Sequence, residues 1–480
     1  MSLQRNMSQL IKRTWSCVIV AGCLAVGTNA HAQVSASTAP AALSLDDALQ
    51  YAIEHYPTVK AALEQVAAAT ASVSVAKAGY LPRFDSVWQT NRATANNIYG
   101  QLLPQSVIPS ISGPVLDTTG QSVWGSAVGG LLSWEPVDFG LRSAIVHEAE
   151  AGVARARAEE GVTRLAVQNA VGAAYFNVVI AQQGVVSADA DVARRKVLAG
   201  AVKVLVDNQL RPGAESSRAE AELAAAQTRA IQARQAVTIA RSLLERVLGM
   251  RSGSVEIAPA RLLAVTPAVP VTPDPDPASH PLVQSAQAGV DLARARETVL
   301  SKTDRPRLYL QSSVSARGSG ANPDGMFDGG ADGLWFERAN WAAGLQVVIP
   351  NLFDFSTLKA RRAAAGALTR VEHARNDEAM LNVASDQRTA QAMLDAARAI
   401  AQNTPIQLRA AQQSEGQARA RFDAGLAGIV EVADSQNLLA GAEYQDAVAR
   451  VDVWRALLAT AVSQGSLEPF IGALRAAGVR

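Results

Sequence analysis

The chain repeats one series of landmarks twice, and this duplication constrains its fold more than any other feature. Both series run in the same order, and the two members of each pair lie 216 or 224 residues apart. The pairs are Pro57 and Pro281, Pro82 and Pro306, residues 137–140 and 353–356, and residues 206–210 and 422–426. Four landmarks in one order at nearly one offset predict two copies of a single structural unit.

The longest feature of each unit is a helical hairpin, preceded by a shorter helical stretch at residues 45–79 or 282–301. Residues 141–207 contain no proline, which predicts one helix of 67 residues, about 100 Å long. A returning helix should start near Pro212, because proline is favoured in a first helical turn. In the second unit, Pro405 predicts a kink or break within residues 358–423. A coiled-coil seam is predicted at apolar positions that step by threes and fours: Ala233, Ala236, Ala240, Leu243 and Val247.

Two short strands are predicted in each unit, between the shorter helical stretch and the hairpin. Phe84 and Trp88 alternate with Asp85 and Gln89 in the first strand. The other strands are expected at residues 123–134, 308–315 and 341–349. Such alternation with flanking aromatic residues is typical of a transmembrane β-barrel, although a half-buried sheet of a soluble protein has the same pattern. The long polar loops at residues 93–121 and 317–338 favour the membrane interpretation.

Four strands per chain are too few to close a membrane barrel, for which eight is the usual minimum. An open sheet edge cannot be satisfied in lipid. If these are membrane strands, several chains must share one barrel, and three chains would supply twelve strands.

The N-terminus has the features of a secretory signal peptide, predicted at residues 1–32. A basic front with Lys12 and Arg13 precedes an apolar run at residues 15–27, and Ala30 and Ala32 form a small-residue cleavage site. Residues 20–23 resemble a lipobox, so cleavage before a lipidated Cys23 stays an alternative.

Cleavage after Ala32 would leave no cysteine, because Cys17 and Cys23 are the only two in the chain. It would also remove three basic residues and no acidic ones, which changes the formal net charge from +1 to −2. Such a charge offers no basic surface for nucleic acid. No later unbroken apolar stretch is long enough for a membrane helix. The expected destinations are therefore the periplasm, the medium or an outer-membrane barrel.

Each copy of the unit consists of a helix, a Pro-Arg pair (residues 82–83 or 306–307), two strands and a long helical hairpin. This doubled unit resembles the TolC family of outer-membrane efflux proteins. The resemblance covers roughly residues 43–464. Its most specific part is RFDAGL at residues 421–426, followed by IVEVADSQ at residues 429–436. These residues are similar to the family's turn at the periplasmic tip and to the start of its returning helix.

The resemblance implies a mainly α-helical fold with a membrane β-barrel part. Three chains would share a twelve-stranded outer-membrane barrel and a long helical tunnel through the periplasm. It further implies the exit duct of a tripartite efflux or type I secretion system. The partners would be two further copies of the chain, outer-membrane lipid, a periplasmic adaptor (membrane fusion) protein and an inner-membrane pump of the ABC or RND type.

The expected domain organisation follows the repeat. The signal peptide at residues 1–32 is followed by the first repeat at 33–251. A strap at residues 252–281, which holds seven of the twenty prolines, leads to the second repeat at 282–464 and a C-terminal tail at 465–480.

Two sets of site residues are implied by the resemblance. Glu431 and Asp434 lie where the family narrows its closed periplasmic entrance, so three chains would form a ring of six carboxylates that favours cations. Their alternative role is that of solvated acids near a helix N-terminus. The adaptor is expected to dock on the two hairpin turns, at Asp207, Leu210, Gly213, Asp423, Gly425, Leu426 and Gly428.

No catalytic, cofactor or metal motif is present, so neither an enzyme nor a cofactor is expected. Asp-Gly pairs at residues 324, 328 and 332 raise the alternative of calcium, but their spacing does not match an EF-hand. A periplasmic adaptor or a coiled-coil structural protein of the cell envelope is the alternative function. The cargo, whether a drug, a metal, a metabolite or a protein, stays open.

Overall fold

A computed structural model describes residues 43–94, 102–108, 120–250, 255–257, 262–263, 276–321, 326, 331–350 and 354–478. The predicted signal peptide, most of the strap and the Asp-Gly pairs at 324 and 328 lie outside these residues. The helices are α1 (Leu45–His55), α2 (Pro57–Ala78), α3 (Leu141–Asp207), α4 (Gly213–Leu248), α5 (Pro281–Lys302), α6 (Phe355–Asp423), α7 (Ile429–Ser463) and α8 (Glu468–Ala476). The strands are β1 (Arg83–Thr94), β2 (Ser122–Val137), β3 (Arg307–Ser319) and β4 (Arg338–Val348).

The stretch expected as one helix at residues 45–79 consists of two helices. Ser44 caps α1, since its hydroxyl accepts a hydrogen bond from the Asp47 N–H at 3.2 Å. The chain then turns extended at Tyr56, and Pro57 occupies the first turn of α2. Proline disfavours helical backbone at the residue before it, which explains the break.

The long helices extend over the predicted lengths, with one correction. Helix α3 has the predicted limits and 67 residues. Helix α6 has 69 residues and continues through Pro405, so the predicted break is wrong. A proline inside a helix removes one donor and crowds the carbonyl group four residues before it, but the adjacent Thr404 is held by a 3.0 Å hydrogen bond from its hydroxyl to Asp446 on α7. Many intact turns on both sides and the packing against α7 therefore keep the helix continuous.

The strands form one antiparallel sheet in the order β1-β2-β3-β4. The two repeats meet where β2 pairs with β3, for example Gly130 with Val314. The register shifts between Trp134 and Val137 at the end of β2 that is closest to the helices. The sheet is therefore one continuous surface to which each repeat contributes a hairpin.

The largest apolar core lies between the middle of α3, the C-terminal half of α7, and the short helices α1 and α8. Phe470 on α8 packs edge-to-face against Phe176 on α3 and Trp454 on α7, with ring centroids 6.4 Å apart in both pairs. The Trp454 indole donates a 3.0 Å hydrogen bond to the carbonyl oxygen of Leu262, so part of the strap is fixed on this core.

This core also explains the one segment that resembles a membrane helix. Among the described residues, α3 alone is long and apolar enough to cross a membrane by length and composition. Its side chains at Val171, Phe176, Val178 and Val179 are fully buried in the protein core. The apolar stretch is therefore accounted for by packing between helices.

The predicted seam on α4 is only partly right: Ala240 is buried and Val247 packs against the core, but Ala236 and Leu243 are exposed. The buried positions are Ala219, Ala226, Ala230, Ala240, Leu244 and Leu248. Leu243, which was expected in the seam, is exposed together with Ile239. Because α4 carries apolar residues on two adjacent sides, the spacing alone could not show which side faces α3. The second side remains uncovered in a single chain.

Candidate functional site

The four-stranded sheet has an exposed apolar face and an opposite, more polar face that is partly covered. Cross-strand partners share a face, so the register places Trp88, Val314 and Trp341 on the same side. These three side chains are 63–81% exposed. The opposite side carries polar residues such as Gln89 and Ser315, both buried. Large apolar side chains along a whole exposed face are suited to lipid.

Within the described residues, no further strand pairs with either edge of the sheet in the single chain. Strand β1 pairs there only with β2, and β4 only with β3. Unpaired backbone groups would each cost several kcal/mol in a hydrocarbon layer, about the cost of burying an unbonded amide. Four strands can therefore enter a membrane only if further strands from other chains complete the barrel.

A buried ion pair fixes the junction between β2 and α3. Arg142 Nε lies 2.8 Å from Asp138 Oδ2, and both side chains are about nine-tenths buried. The same guanidinium donates to the Gly79 carbonyl oxygen at 2.9 Å and lies over the Tyr80 ring. Burial raises the pKa of the Asp138 carboxyl, but hydrogen bonds from Arg142 and the Gly140 N–H, with the Arg142 charge, outweigh it and hold the pKa below its ordinary value. The internal repeat identified residues 137–140 as a landmark, but it gave no indication that Arg142 pairs with Asp138.

The two hairpin turns, at the opposite end of the helices, have the same backbone structure. Leu210 N–H donates to the Leu205 carbonyl oxygen at 2.8 Å, and Leu426 N–H donates to the Arg421 carbonyl oxygen at 2.8 Å. The residue before each of these leucines has positive φ, +61° for Gln209 and +77° for Gly425. Both turns are thus helix C-caps with a left-handed residue, a position that favours glycine.

All seven residues predicted for adaptor docking are exposed at these turns. They are Asp207, Leu210, Gly213, Asp423, Gly425, Leu426 and Gly428. Leu210 and Leu426 are 69% and 73% exposed, so each turn presents one apolar side chain to its surroundings. Docking on this surface stays a prediction.

The two predicted entrance acids lie in the first two turns of α7 and are exposed. Glu431 forms an ion pair with Arg421 at 3.1 Å, across the turn that joins α6 to α7. Asp434 lies three residues further along, which places it on the same side of the helix as Glu431. The charge of Glu431 is thus partly balanced within one chain, and the ring of six carboxylates stays a prediction.

Sequence reasoning missed the contact between the two turns. Arg211 of the first turn lies over the Phe422 ring of the second, 5.1 Å from its centroid. Its guanidinium also donates to the Ala427 carbonyl oxygen at 3.4 Å. Arg211 and Ala427 are 216 residues apart, so they occupy equivalent positions in the two repeats. The first repeat thus has an arginine where the second has an alanine. This difference was the only sequence signal that could have indicated the contact between the two turns.

A second missed feature is a buried arginine where α3, α4 and α7 meet. The Arg195 side chain is 2% exposed and lies 3.0 Å from Asp191 and 2.9 Å from Glu222. It also donates a 2.6 Å hydrogen bond to Asn437 Oδ1 on α7. Asp191 accepts a second ion pair from Arg229 at 3.0 Å. Arg195 therefore connects the first hairpin to the returning helix of the second.

Comparison with known proteins identifies the family. Residues 48–250 and 277–463 match the model of the family described as outer membrane efflux protein. The chain belongs to this family. Its members form trimeric channels of the outer membrane that work with efflux or secretion systems, and they are channel proteins rather than enzymes.

Individual relatives of the chain are distant in sequence. It is 26% identical over 416 residues to protein CyaE of Bordetella pertussis. The aligned residues cover 82% of this chain and 78% of CyaE. Two solved structures share the fold of this chain. OprN has a TM-score of 0.72 at 19% identity, with 88% of this chain and 90% of OprN covered. VceC of Vibrio cholerae has a TM-score of 0.68 at 16% identity, with 88% and 96% covered.

These findings confirm the predicted family and the predicted fold with its two repeats and four strands per chain. They also confirm the predicted location in the outer membrane with a helical part in the periplasm. Within the described residues, no group of three or more His, Cys, Asp or Glu side chains could hold a metal ion.

Proposed function

We propose that the chain is the exit duct of a tripartite export system. Three copies share a twelve-stranded barrel, and their hairpins form one tunnel through the periplasm. The turns dock on a periplasmic adaptor, which connects the duct to an inner-membrane pump of the ABC or RND type. The observation that carries this proposal is the combination, in one chain, of an open lipid-suited sheet with hairpins of about 100 Å. A periplasmic adaptor or a coiled-coil protein is disfavoured, because the chain belongs to an outer-membrane family and contributes four strands.

The trimer is testable in detergent. We expect the purified protein to behave as three copies by light scattering, with the detergent mass subtracted. A monodisperse monomer with an intact β-sheet signal would contradict the shared barrel, because its edges would then be satisfied in some other way.

The cargo is testable by deletion of the gene, scored for both secreted proteins and drug tolerance. Loss of one large protein from the medium, with drug tolerance intact, would indicate a duct for type I secretion. Sensitivity to several unrelated compounds, with the medium unchanged, would indicate an efflux duct. If neither changes, the export function is wrong.

We also propose that Glu431 and Asp434 form the acidic ring at the periplasmic entrance. Replacement of both by Gln and Asn should reduce the preference for cations, and the block by multivalent cations, in bilayer conductance measurements. The matched control is Asp423→Asn, which removes a tip carboxylate that lies outside the proposed ring. Equal selectivity in wild type and the double variant would show that the acids are surface charges only.

A further inference from the structure

A short part of the loop between β1 and β2 folds back onto the sheet. Val107 and Ile108 are buried, 8% and 3% exposed, and pack against Ala127 together with Val87 and Leu131. Residues 105–108 of the loop have a defined conformation, because the Gln105 side chain bonds three of their backbone groups. Gln105 Oε1 accepts from the N–H groups of Val107 and Ile108 at 2.7 Å each, and Nε2 donates to the Ile108 carbonyl oxygen at 2.8 Å.

The loop lies on the face of the sheet that is opposite to the lipid-suited one. Val87 pairs with Gly129 and is the neighbour of Trp88, so its side chain points away from the apolar face. A Cβ at Gly129 would lie 2.8 Å from Ile108 Cγ1, which is closer than real Cβ contacts. The close approach of the loop therefore depends on glycine at this position.

The loop also reaches far along the sheet. Strand β1 ends at Thr94, and the loop contacts Val87, seven residues back towards the helices. At about 3.3 Å per residue this is a distance of roughly 23 Å along the strand. The contact is thus within the sheet and not only at its outer end.

The composition of the covered face agrees with this contact. The side chains of β3 on this face include Gln311, Ser313 and Ser315, as expected for a wall that faces water. On β2 the same face carries Ala127 and Leu131 beneath the loop. Val107 and Ile108 thus cover the apolar patch of Val87, Ala127 and Leu131, whereas Val123 on the same face packs against Ala321.

We propose that residues 102–108 form a plug on the inner wall of the barrel, which limits the size of the solutes that pass through it. The inference rests on the proposed barrel, since a sheet closed with its apolar face towards lipid has this loop inside. Three copies would contribute three such plugs around one axis. Passage of a bulky cargo then requires the loop to leave Gly129 and the apolar wall.

The absence of native cysteines beyond residue 23 allows a direct test in the full-length protein. Ser313→Cys places a thiol on the inner wall, and the adjacent Val314→Cys places one on the lipid face. Intact cells are treated from outside with a small water-soluble thiol reagent or with one that carries a polyethylene glycol chain. Two independent variants displace the plug: Val107→Ser with Ile108→Ser changes only the loop, and Gly129→Val changes only the wall.

With the plug in place, the thiol at position 313 should react with the small reagent and much more slowly with the large one. Either displacing variant should raise the rate of the large reagent at least about tenfold, because it removes the burial of one or two aliphatic side chains. The rate of the small reagent should change little. Agreement between the two variants excludes a folding defect, since they alter different elements.

Equal rates of the two reagents at position 313 in the intact protein would overturn the plug. An unchanged rate of the large reagent in both displacing variants would overturn it as well. The thiol at position 314 separates this result from the proposed function. If it reacts with the water-soluble reagents as fast as the thiol at 313, the membrane barrel itself is wrong.

Discussion

Replacement of the buried Arg195 by Met tests whether the connection between the two hairpins stabilises the fold. Methionine has a similar length but carries no charge, so the variant leaves Asp191 and Glu222 without their central partner. Breaking a buried ion pair costs about 3–5 kcal/mol. Asp191 keeps its ion pair with Arg229 at 3.0 Å, and we therefore expect the lower limit, about 3 kcal/mol.

The assay is thermal unfolding of the detergent-solubilised protein, followed by the helical circular dichroism signal. A loss of about 3 kcal/mol should lower the Tm by several degrees in a chain of this size. Arg164→Met is the matched control. Arg164 lies on the same helix and also pairs with a carboxylate four residues earlier, but it is 46% exposed. An exposed helical pair of this kind contributes only about 0.3–0.5 kcal/mol.

A second variant identifies the cause of the loss. Asp191→Leu combined with Arg195→Met removes most of the buried charge together, and such replacements are often neutral or stabilising. We expect the double variant to recover part of the Tm. If Arg195→Met melts at the same temperature as Arg164→Met, the buried cluster does not stabilise the hairpins and the reasoning is wrong.

Two further predictions concern the tip and the junction. Gly425→Ala should lower the free energy of unfolding by about 1 kcal/mol, because alanine is strained at the backbone φ of +77° found there. Gln209→Ala, at the equivalent position of the first turn, is the control and should be nearly neutral in the same thermal assay. Equal losses in the two variants would show that φ is not the cause. The lowered pKa of Asp138 means that its charged form adds stability above its ordinary pKa of 3.8, and that this contribution is lost as the pH falls through the lower pKa of the folded state. The free energy of unfolding, measured with urea, should therefore fall more steeply below pH 3.8 for wild type than for Asp138→Asn. Parallel pH profiles of the two proteins would show that the ion pair with Arg142 does not contribute to stability.

Features that depend on one element and its length could be predicted from the sequence. The limits of α3 follow from 67 residues without proline between two turn signals. The strand pairs follow from alternation, and their number per chain follows from the repeat. The exposure of the two hairpin turns follows in the same way, because residues that reverse the chain between two long helices lie at their ends.

Features that depend on how several elements meet could not be predicted. Arg195 resembles any other helical arginine in the sequence, and its burial results from three helices that converge on it. Leu243 was wrongly placed in the seam on α4 for the same reason, since two adjacent sides of that helix are apolar. The continuous helix through Pro405 reflects packing against α7, which the local sequence does not reveal.

The open edges of the sheet also determine how the protein can reach its final state. A chain that has folded its four strands carries two unpaired edges and an apolar face before it meets its partners, and such surfaces tend to aggregate. One chain cannot enter the bilayer first and wait, because its edges would be unsatisfied in hydrocarbon. Association of the copies must therefore precede or accompany membrane insertion. The yield of mature protein should consequently fall faster than linearly when synthesis is reduced.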